Sequence, residues 1–478
     1  MTARGKPTET TADALVCFGI TGDLGSRMTL PALYRLEHRG ALPCDVIGVG
    51  RQERPPDQLR AMAREAVENA EGAVDDEVFE RFAERLSYIA ADAEDPASYE
   101  RLREALGEAT RPVFYVATPP SLFGPIVESL GRAGLTERAR VVVEKPFGSD
   151  LPSARELNQR LRRVLREDQI YRIDHFLGKE PVQDIVYLRF ANEILEPIWN
   201  RHHIESVQIT LAESIDIEGR GAFYDEVGAL RDVVQNHLLQ VLALVTMEAP
   251  AGGAAAVEDR RLDVLRAIPD ADPAEYVRGQ YEGYAGEDGV AAGSDTETYA
   301  ALRLRIDNWR WAGVPFLIRA GKAMRTAQSE VHVLFHRPPP ILLGDHTAEV
   351  RHHNHISIRI GKDAGASIGL LVKDPSSESA APIHLNVSFA EYLERSPEPY
   401  ERLLGDALVG DPTLFPRQDV IEELWRIVQP LLHDPPPVER YRRGSLGPAS
   451  AEGLAERYGG WRSPFIDRSD TGRPEENG

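Results

Sequence analysis

The chain has 478 residues, is 42% hydrophobic and 27% charged, and carries a formal net charge of −21. That length suits two domains with a sizeable core each, and so acidic a surface argues against a nucleic-acid partner, which needs a basic face. No apolar run approaches the roughly 18 residues of a membrane span, the opening MTARGKPTETTA lacks a signal peptide's apolar core, and Cys17 and Cys44 alone make neither a disulfide framework nor a CxxC metal site, so a reduced, cytoplasmic protein with no membrane partner is expected.

From the N-terminus, residues 14–19 form a short apolar run, read as a buried strand. It opens into Gly19-Ile20-Thr21-Gly22-Asp23-Leu24-Gly25, followed by a helical pattern carrying Leu30, Leu33, Tyr34 and Leu36. Strand, Gly-x-x-Gly-x-x-Gly and helix together make a seat for a dinucleotide pyrophosphate, because the glycines admit the phosphates and the helix start supplies N–H groups. Gly19, Thr21, Gly22, Asp23 and Leu24 are therefore candidate cofactor residues. The second strand, Asp45–Gly50, ends on Arg51, where a reader of NAD usually has an acid for the ribose 2′-hydroxyl. A guanidinium suits a 2′-phosphate, so NADP is expected, with NAD as the weaker alternative. Helical patterns at 57–70, 76–86 and 151–168 alternate with strands at 112–117 and 139–143, the last ending at Glu144-Lys145-Pro146-Phe147-Gly148. The alternation predicts a parallel, doubly wound sheet with ligands at the strand C-termini, which places Lys145 and Pro146 near cofactor and substrate.

The stretch 171–180, YRIDHFLGKE, is too polar for an ordinary core element. His175 and Lys179 can offer N–H donors and positive charge to a phosphate, Gly178 lets a backbone come close, and Asp174 can orient a further histidine. A polar loop with a surface ion pair remains the other reading of these ten residues. Among 55 basic residues only six are lysines, and three of those stand in motif-like settings, Lys145, Lys179 and Lys322. A compact ammonium is not interchangeable with a guanidinium, which makes the three candidates for a specific role.

Beyond 180 the pattern changes. A helix is predicted at 181–190, a strand at 204–213, and a long apolar helix at 228–247 carrying Asp232, Asn236 and His237 on one face or neighbouring faces. A satisfied core histidine is the alternative reading of His237. Alternating segments at 298–306, 315–319, 330–335 and 355–360 predict a large, mainly antiparallel sheet. His352, His353 and His355 have no acid or cysteine to complete a ligand set, so no metal site is expected. Helices at 400–409 and 418–432 follow, and both chain ends are polar.

Seven stretches recur together: GITGDL, EKPFG, RIDHFLGKE, the Asp232/Asn236/His237 helix, IDNWRWAGVPF with RAGKA, PEPYERLL, and YRRGSLGPA. In this order and spacing, over 13–465, the chain resembles the glucose-6-phosphate dehydrogenases. The resemblance implies an α/β Rossmann-type dinucleotide-binding domain over 13–175 and a β+α substrate and dimerisation domain with a large mainly antiparallel sheet over 176–465, flanked by polar tails at 1–12 and 466–478. It implies oxidation of glucose 6-phosphate at C1 to the 6-phosphogluconolactone with reduction of NADP, by a homodimer or homotetramer, without a metal. His237 would be the general base, Asp174 would hold its imidazole, His175 and Lys179 would grip the phosphate, and Glu213, Asp232 and Lys322 would bond the sugar hydroxyls. Thr21 and Arg51 match contacts to the 2′-phosphate; Lys145 and Pro146 match the cofactor–substrate junction. Four departures remove polar groups near the sugar phosphate: Met28 lies where a lysine is common nearby, Phe176 replaces the usual tyrosine, Ala327 a basic residue, and Gly361 a glutamine. They imply a weaker hold on glucose 6-phosphate, or a preference for another sugar phosphate.

Overall fold

The structure, a computed structural model, describes residues 10–93, 95–338, 354–361, 363–376, 380–391 and 397–462. His352 and His353 lie outside the described residues, as do most of the two polar tails. The chain forms two compact units.

The first unit is built on a six-stranded sheet in the order β3-β2-β1-β4-β5-β6, every neighbouring pair parallel. Its strands are β1 (Ala14–Phe18), β2 (Asp45–Gly50), β3 (Leu86–Ala90), β4 (Pro112–Val116), β5 (Arg140–Val143) and β6 (Ile170–Arg172). β1, β4 and β5 are buried along their whole length, as expected for runs without alternation that are covered on both faces. Leu15, Cys17 and Tyr115 pack in one core layer, and Val16, Phe18, Phe114 and Val116 in the other.

Two of these strands have no clear signature in the sequence. β3 reads LSYIA, too polar for a buried run, and β6 has only three residues and includes the start of the decapeptide. The unit also does not end at residue 175. It runs to Glu180 and takes back Pro250–Leu262 and a stretch ending at Trp425. Helix Pro399–Val409 returns because Leu403, Leu404, Ala407 and Leu408 complete the same core layer as Leu15 and Tyr115. The division into two consecutive segments at 175/176 is thus replaced by an interleaved one. Sequence periodicity marks an apolar helix face but not the core it joins.

The second unit is built on a nine-stranded sheet, order β14-β13-β12-β11-β7-β10-β9-β8-β15. The strands are β7 (Ile204–Ala212), β8 (Tyr276–Tyr281), β9 (Tyr299–Leu304), β10 (Phe316–Gly321), β11 (Gln328–Phe335), β12 (His355–Arg359), β13 (Gly365–Lys373), β14 (Ala380–Ser388) and β15 (Val438–Tyr441). It is mainly antiparallel, with parallel pairs only at β7–β10 and β8–β15. Because β7 and β10 run parallel, Glu213 and Lys322, just past the two strand ends, come to one edge of the sheet.

Candidate active site

In the first unit the C-terminal ends of the parallel strands share one edge. There β1 gives way to the glycine turn: the Gly19 N–H donates to the Val49 carbonyl (2.8 Å) and the Gly22 N–H to the Gly19 carbonyl (2.9 Å). Gly19 has φ +77°, and a Cβ there would collide with the Ala117 carbonyl, so this position requires glycine. The helix that follows begins with a π-helical turn, Gly25–Thr29, and continues as Leu30–His38. Asp23 forms an exposed ion pair with Arg27 (2.8 Å), which makes it a surface residue of the turn, and Leu24 is half-buried behind it. A cleft of about 410 Å³ opens beside the turn, lined by Thr21, Arg51, Gln52 and Arg54. Arg54 and Gln52 were not singled out from the sequence. The Arg54 Nε is buried without a hydrogen-bond partner, and a second arginine three places after Arg51 was the available signal. Two guanidiniums, a threonine hydroxyl and a close-approach glycine turn fit a phosphorylated dinucleotide.

At the same edge β5 ends in Glu144 and Lys145, the latter joined to Pro146 by a cis peptide. Lys145 is half-buried. Glu144 turns inward: the Tyr115 hydroxyl donates to its Oε1 (2.7 Å) and the Tyr400 hydroxyl to its Oε2 (3.3 Å). Burial pushes its carboxyl up to about 7, partly offset by the two phenols and by Lys145. The neighbouring β6 delivers the decapeptide, with the Ile173 N–H donating to the Val143 carbonyl (2.9 Å). Asp174 is only 4% exposed, and its Oδ1 accepts from the Phe176 N–H (3.0 Å).

The decapeptide divides between scaffold and site. Arg172 is buried on Glu167 (2.7 Å) and Asn158, and Glu180 is paired with Arg402, so both serve the fold. Gly178 also has a packing reason: a Cβ there would sit 2.9 Å from the Pro399 carbonyl, so the close approach it permits is to helix Pro399–Val409. Asp174, His175 and Lys179 remain the residues with chemistry to offer.

In the second unit the predicted helix at 228–247 starts at a break and is not α-helical throughout. Gly228 leaves helical geometry (φ 67°, ψ 173°), and Glu297 binds the freed start, accepting from the Ala229 N–H through its carbonyl (2.9 Å) and from the Leu230 N–H through Oε1 (3.1 Å). Leu230–Leu238 is then π-helical, and Leu239–Thr246 α-helical. A π turn closes i to i+5, the separation of Asp232 and His237, so the wider turn favours a shared face for these two. His237 is 2% exposed; its N–H donates to the Asn236 Oδ1 (2.6 Å), while Asn236 Nδ2 donates to the Arg231 carbonyl (3.1 Å). At the far end the carbonyls of Leu244, Val245 and Thr246 accept from Arg189, Trp199 Nε1 and Trp311 Nε1. Buried donors thereby satisfy a helix C-terminus that water does not reach.

β10 packs on this π-helical segment. Lys322, 4% exposed, places its Nζ 2.6 Å from the Glu213 Oε2 and 5.7 Å from the Tyr224 ring centroid. Ala323 next to it has φ +49°, an uncommon conformation for a residue with a side chain. Its carbonyl accepts from the Gly444 N–H and its N–H donates to the Ile215 carbonyl, which hold it there. Glu213, Asp232, His237 and Lys322 thus belong to the second unit, whereas the dinucleotide turn, Lys145, Asp174, His175 and Lys179 belong to the first.

Two family models match end to end, "Glucose-6-phosphate dehydrogenase, NAD binding domain" over residues 16–184 and "Glucose-6-phosphate dehydrogenase, C-terminal domain" over 186–462. The chain belongs to the glucose-6-phosphate dehydrogenase family. Family members of similar sequence include glucose-6-phosphate 1-dehydrogenase 1 of Mycobacterium tuberculosis (strain ATCC 25618 / H37Rv), 52% identical over 460 residues, covering 96% of this chain and 97% of that one. Glucose-6-phosphate 1-dehydrogenase of Rhizobium meliloti (strain 1021) is 40% identical, covering 93% and 96%. Among solved structures, glucose-6-phosphate 1-dehydrogenase from Mycobacterium avium superposes with a TM-score of 0.89 at 50% identity, over 96% of this chain and 100% of that one. A glucose-6-phosphate dehydrogenase in complex with its substrate glucose-6-phosphate superposes with a TM-score of 0.88 at 33% identity, over 95% and 100%. The family fold, a dinucleotide-binding unit on a parallel sheet followed by a large, mainly antiparallel sheet, is the fold of this chain.

Proposed function

We propose that this chain oxidises D-glucose 6-phosphate at C1 to 6-phospho-D-glucono-1,5-lactone with reduction of NADP, the first step of the oxidative pentose phosphate pathway. The single observation that carries the reading is the end-to-end match to the family, and the ion pair of buried Lys322 with half-buried Glu213, packed beside the His237 segment, supports it. When bound, the nicotinamide supplies the acceptor for the hydride that leaves C1. His237 takes the proton of the C1 hydroxyl, so the carbon that loses hydride becomes the lactone carbonyl. To Asp174 we assign stabilisation of the imidazolium. We assign the phosphate to His175 and Lys179, the sugar hydroxyls to Glu213, Asp232 and Lys322, and the junction with the cofactor to Lys145 and Pro146.

NADP is preferred to NAD in this reading because Arg51 and Arg54 both line the cleft beside Thr21. Arg51→Ala should raise the KM for NADP about tenfold, the scale of one charge-assisted contact, and leave that for NAD within twofold. Equal effects on both cofactors would overturn the preference. A homodimer or homotetramer is supported by an apolar sheet face: Ile368, Leu370 and Val372 on β13 are exposed beside Ile383, Leu385 and Val387 on β14, with Ile368 opposite Leu385 and Leu370 opposite Ile383. A cytoplasmic site is supported by two free, buried cysteines. Among the described residues no helix is long and apolar enough to cross a membrane.

The test is the initial rate of NADPH appearance with glucose 6-phosphate, free glucose and other hexose 6-phosphates. A saturable rate with glucose 6-phosphate is expected. Turnover of a different sugar phosphate alone would keep the chemistry and move the substrate, as Phe176, Ala327 and Gly361 would favour. No turnover across the panel, with NADP still binding, would leave a non-catalytic binding protein.

A further inference from the structure

Phe176 is more than a missing hydroxyl. Two successive turns shape its segment: the Leu177 N–H donates to the Asp174 carbonyl (3.0 Å) and the Lys179 N–H to the Phe176 carbonyl (3.1 Å). The second turn folds Lys179 back over residue 176, so that its Nζ stands 3.6 Å from the Phe176 ring centroid. That is well inside the ~6 Å range over which an aromatic face attracts a cation. The neighbouring imidazole also meets this ring, His175 lying edge-on at 5.3 Å and 70°. The ring itself is fixed, being 5% exposed with its backbone N–H held by the Asp174 Oδ1.

We propose that Phe176 is a positioning residue for the sugar phosphate, a buried aromatic platform that holds the Lys179 ammonium and the His175 ring in place for the anion. The proposal rests on the assignment of His175 and Lys179 to the phosphate. An ammonium resting on an aromatic face keeps N–H groups directed away from the ring for an acceptor. Less side-chain freedom is then lost when the anion arrives, because a free lysine must give up much of its rotamer entropy on binding. A tyrosine would add a hydroxyl but keep the same face, so the platform survives that exchange while an aliphatic residue abolishes it.

The experiment is a double-mutant cycle read on steady-state kinetics with glucose 6-phosphate, in the full-length protein. Phe176→Leu and the closer volume match Phe176→Met should each raise KM for the sugar phosphate about three- to thirtyfold, the span of a partly desolvated cation–π contact, with kcat and the KM for NADP within twofold. Phe176→Tyr, which retains the face and adds a hydroxyl, should have a KM at or below the wild-type value. In a Lys179→Met background, itself raised in KM, the Phe176→Leu increment should shrink severalfold. An increment undiminished without the lysine, or Phe176→Tyr no better than Phe176→Leu, overturns the platform and leaves Phe176 as core filling. A raised KM in Lys179→Met with unchanged kinetics in Phe176→Leu and Phe176→Met overturns the platform alone. An unchanged KM in Lys179→Met overturns the phosphate assignment and the platform with it.

Discussion

Each unit sets a glutamate against a lysine at the C-terminal end of parallel strands, and the two couples are used differently. At the end of β5, Glu144 and Lys145 are sequence neighbours whose side chains part: the acid enters the core to meet Tyr115 and Tyr400, while the lysine stays at the half-buried edge. At the ends of β7 and β10, Glu213 and Lys322 come from segments over a hundred residues apart and meet at 2.6 Å. There the lysine is the buried member, 4% exposed, and the acid reaches water. The same pair of residue types thus gives the first unit a fold-holding acid beside a half-buried lysine, and the second a preformed, charge-balanced pair. A local cation is needed on so acidic a chain if an anionic sugar is to approach, and pairing Lys322 offsets part of the cost of burying it.

The largest effect should come from the second unit's chemistry. His237→Asn removes the imidazole but keeps a polar side chain in the π-helical turn, so kcat should fall about 10²- to 10⁴-fold, the range for a lost general base. NADP affinity, assigned to the first unit, should not move, and equilibrium titration with NADP checks it. A variant that loses NADP affinity together with turnover would erase the division of labour between the two couples.

Glu144 comes next, through stability rather than rate. Its folded-state carboxyl is raised from an ordinary 4.5 to about 7, so between those values the folded chain holds more proton than the unfolded chain. Stability from this group is therefore present below pH 4.5 and is lost as pH rises through 7, by an amount of about 3 kcal/mol. Glu144→Gln keeps an acceptor for a phenol and cannot ionise. Its denaturation midpoint relative to wild type should rise between pH 5 and pH 8, and a difference constant with pH would show that the acid is ionised throughout. kcat and KM at neutral pH should change less than in any second-unit variant.

How much of this was legible in the sequence depends on the range of the interaction. Gly19 and the cleft position of Arg51 were readable because a turn and a strand end are local features, and β1, β2, β4 and β5 because a strand buried on both faces is a continuous apolar run. β6 and β3 were not, being too short or too polar to differ from loops until neighbours pair with them. The His237 helix was read with α-helical spacing and its π turn was missed; the break at Gly228 that precedes it is held by a distant partner, Glu297, 67 residues after the Leu230 it binds. Burial of Glu144 was missed because half of its hydrogen bonding comes from Tyr400, on a helix that the sequence assigned to the other domain. Lys322 was picked out by its rarity and setting, but its partner Glu213 only through family resemblance.

The smallest expected effect is the most direct test of the contrast. Glu213→Gln keeps an oxygen for the Lys322 ammonium and removes only the charge. An ion pair whose acid side chain is 28% exposed contributes on the order of 1 kcal/mol or less to folding, so Tm should move by no more than a few degrees at any pH. The KM for the sugar phosphate should nonetheless rise about fivefold, the scale of one weakened hydrogen bond to a charged group, because a lysine held less firmly presents its N–H donors less consistently. Glu144→Gln should do the opposite, shifting Tm with pH and leaving KM alone. The two glutamines are a crossed pair of measurements on one chain. If each variant moves both quantities alike, the acids are equivalent scaffolding, and the second couple loses its claim to be the preformed half of the site.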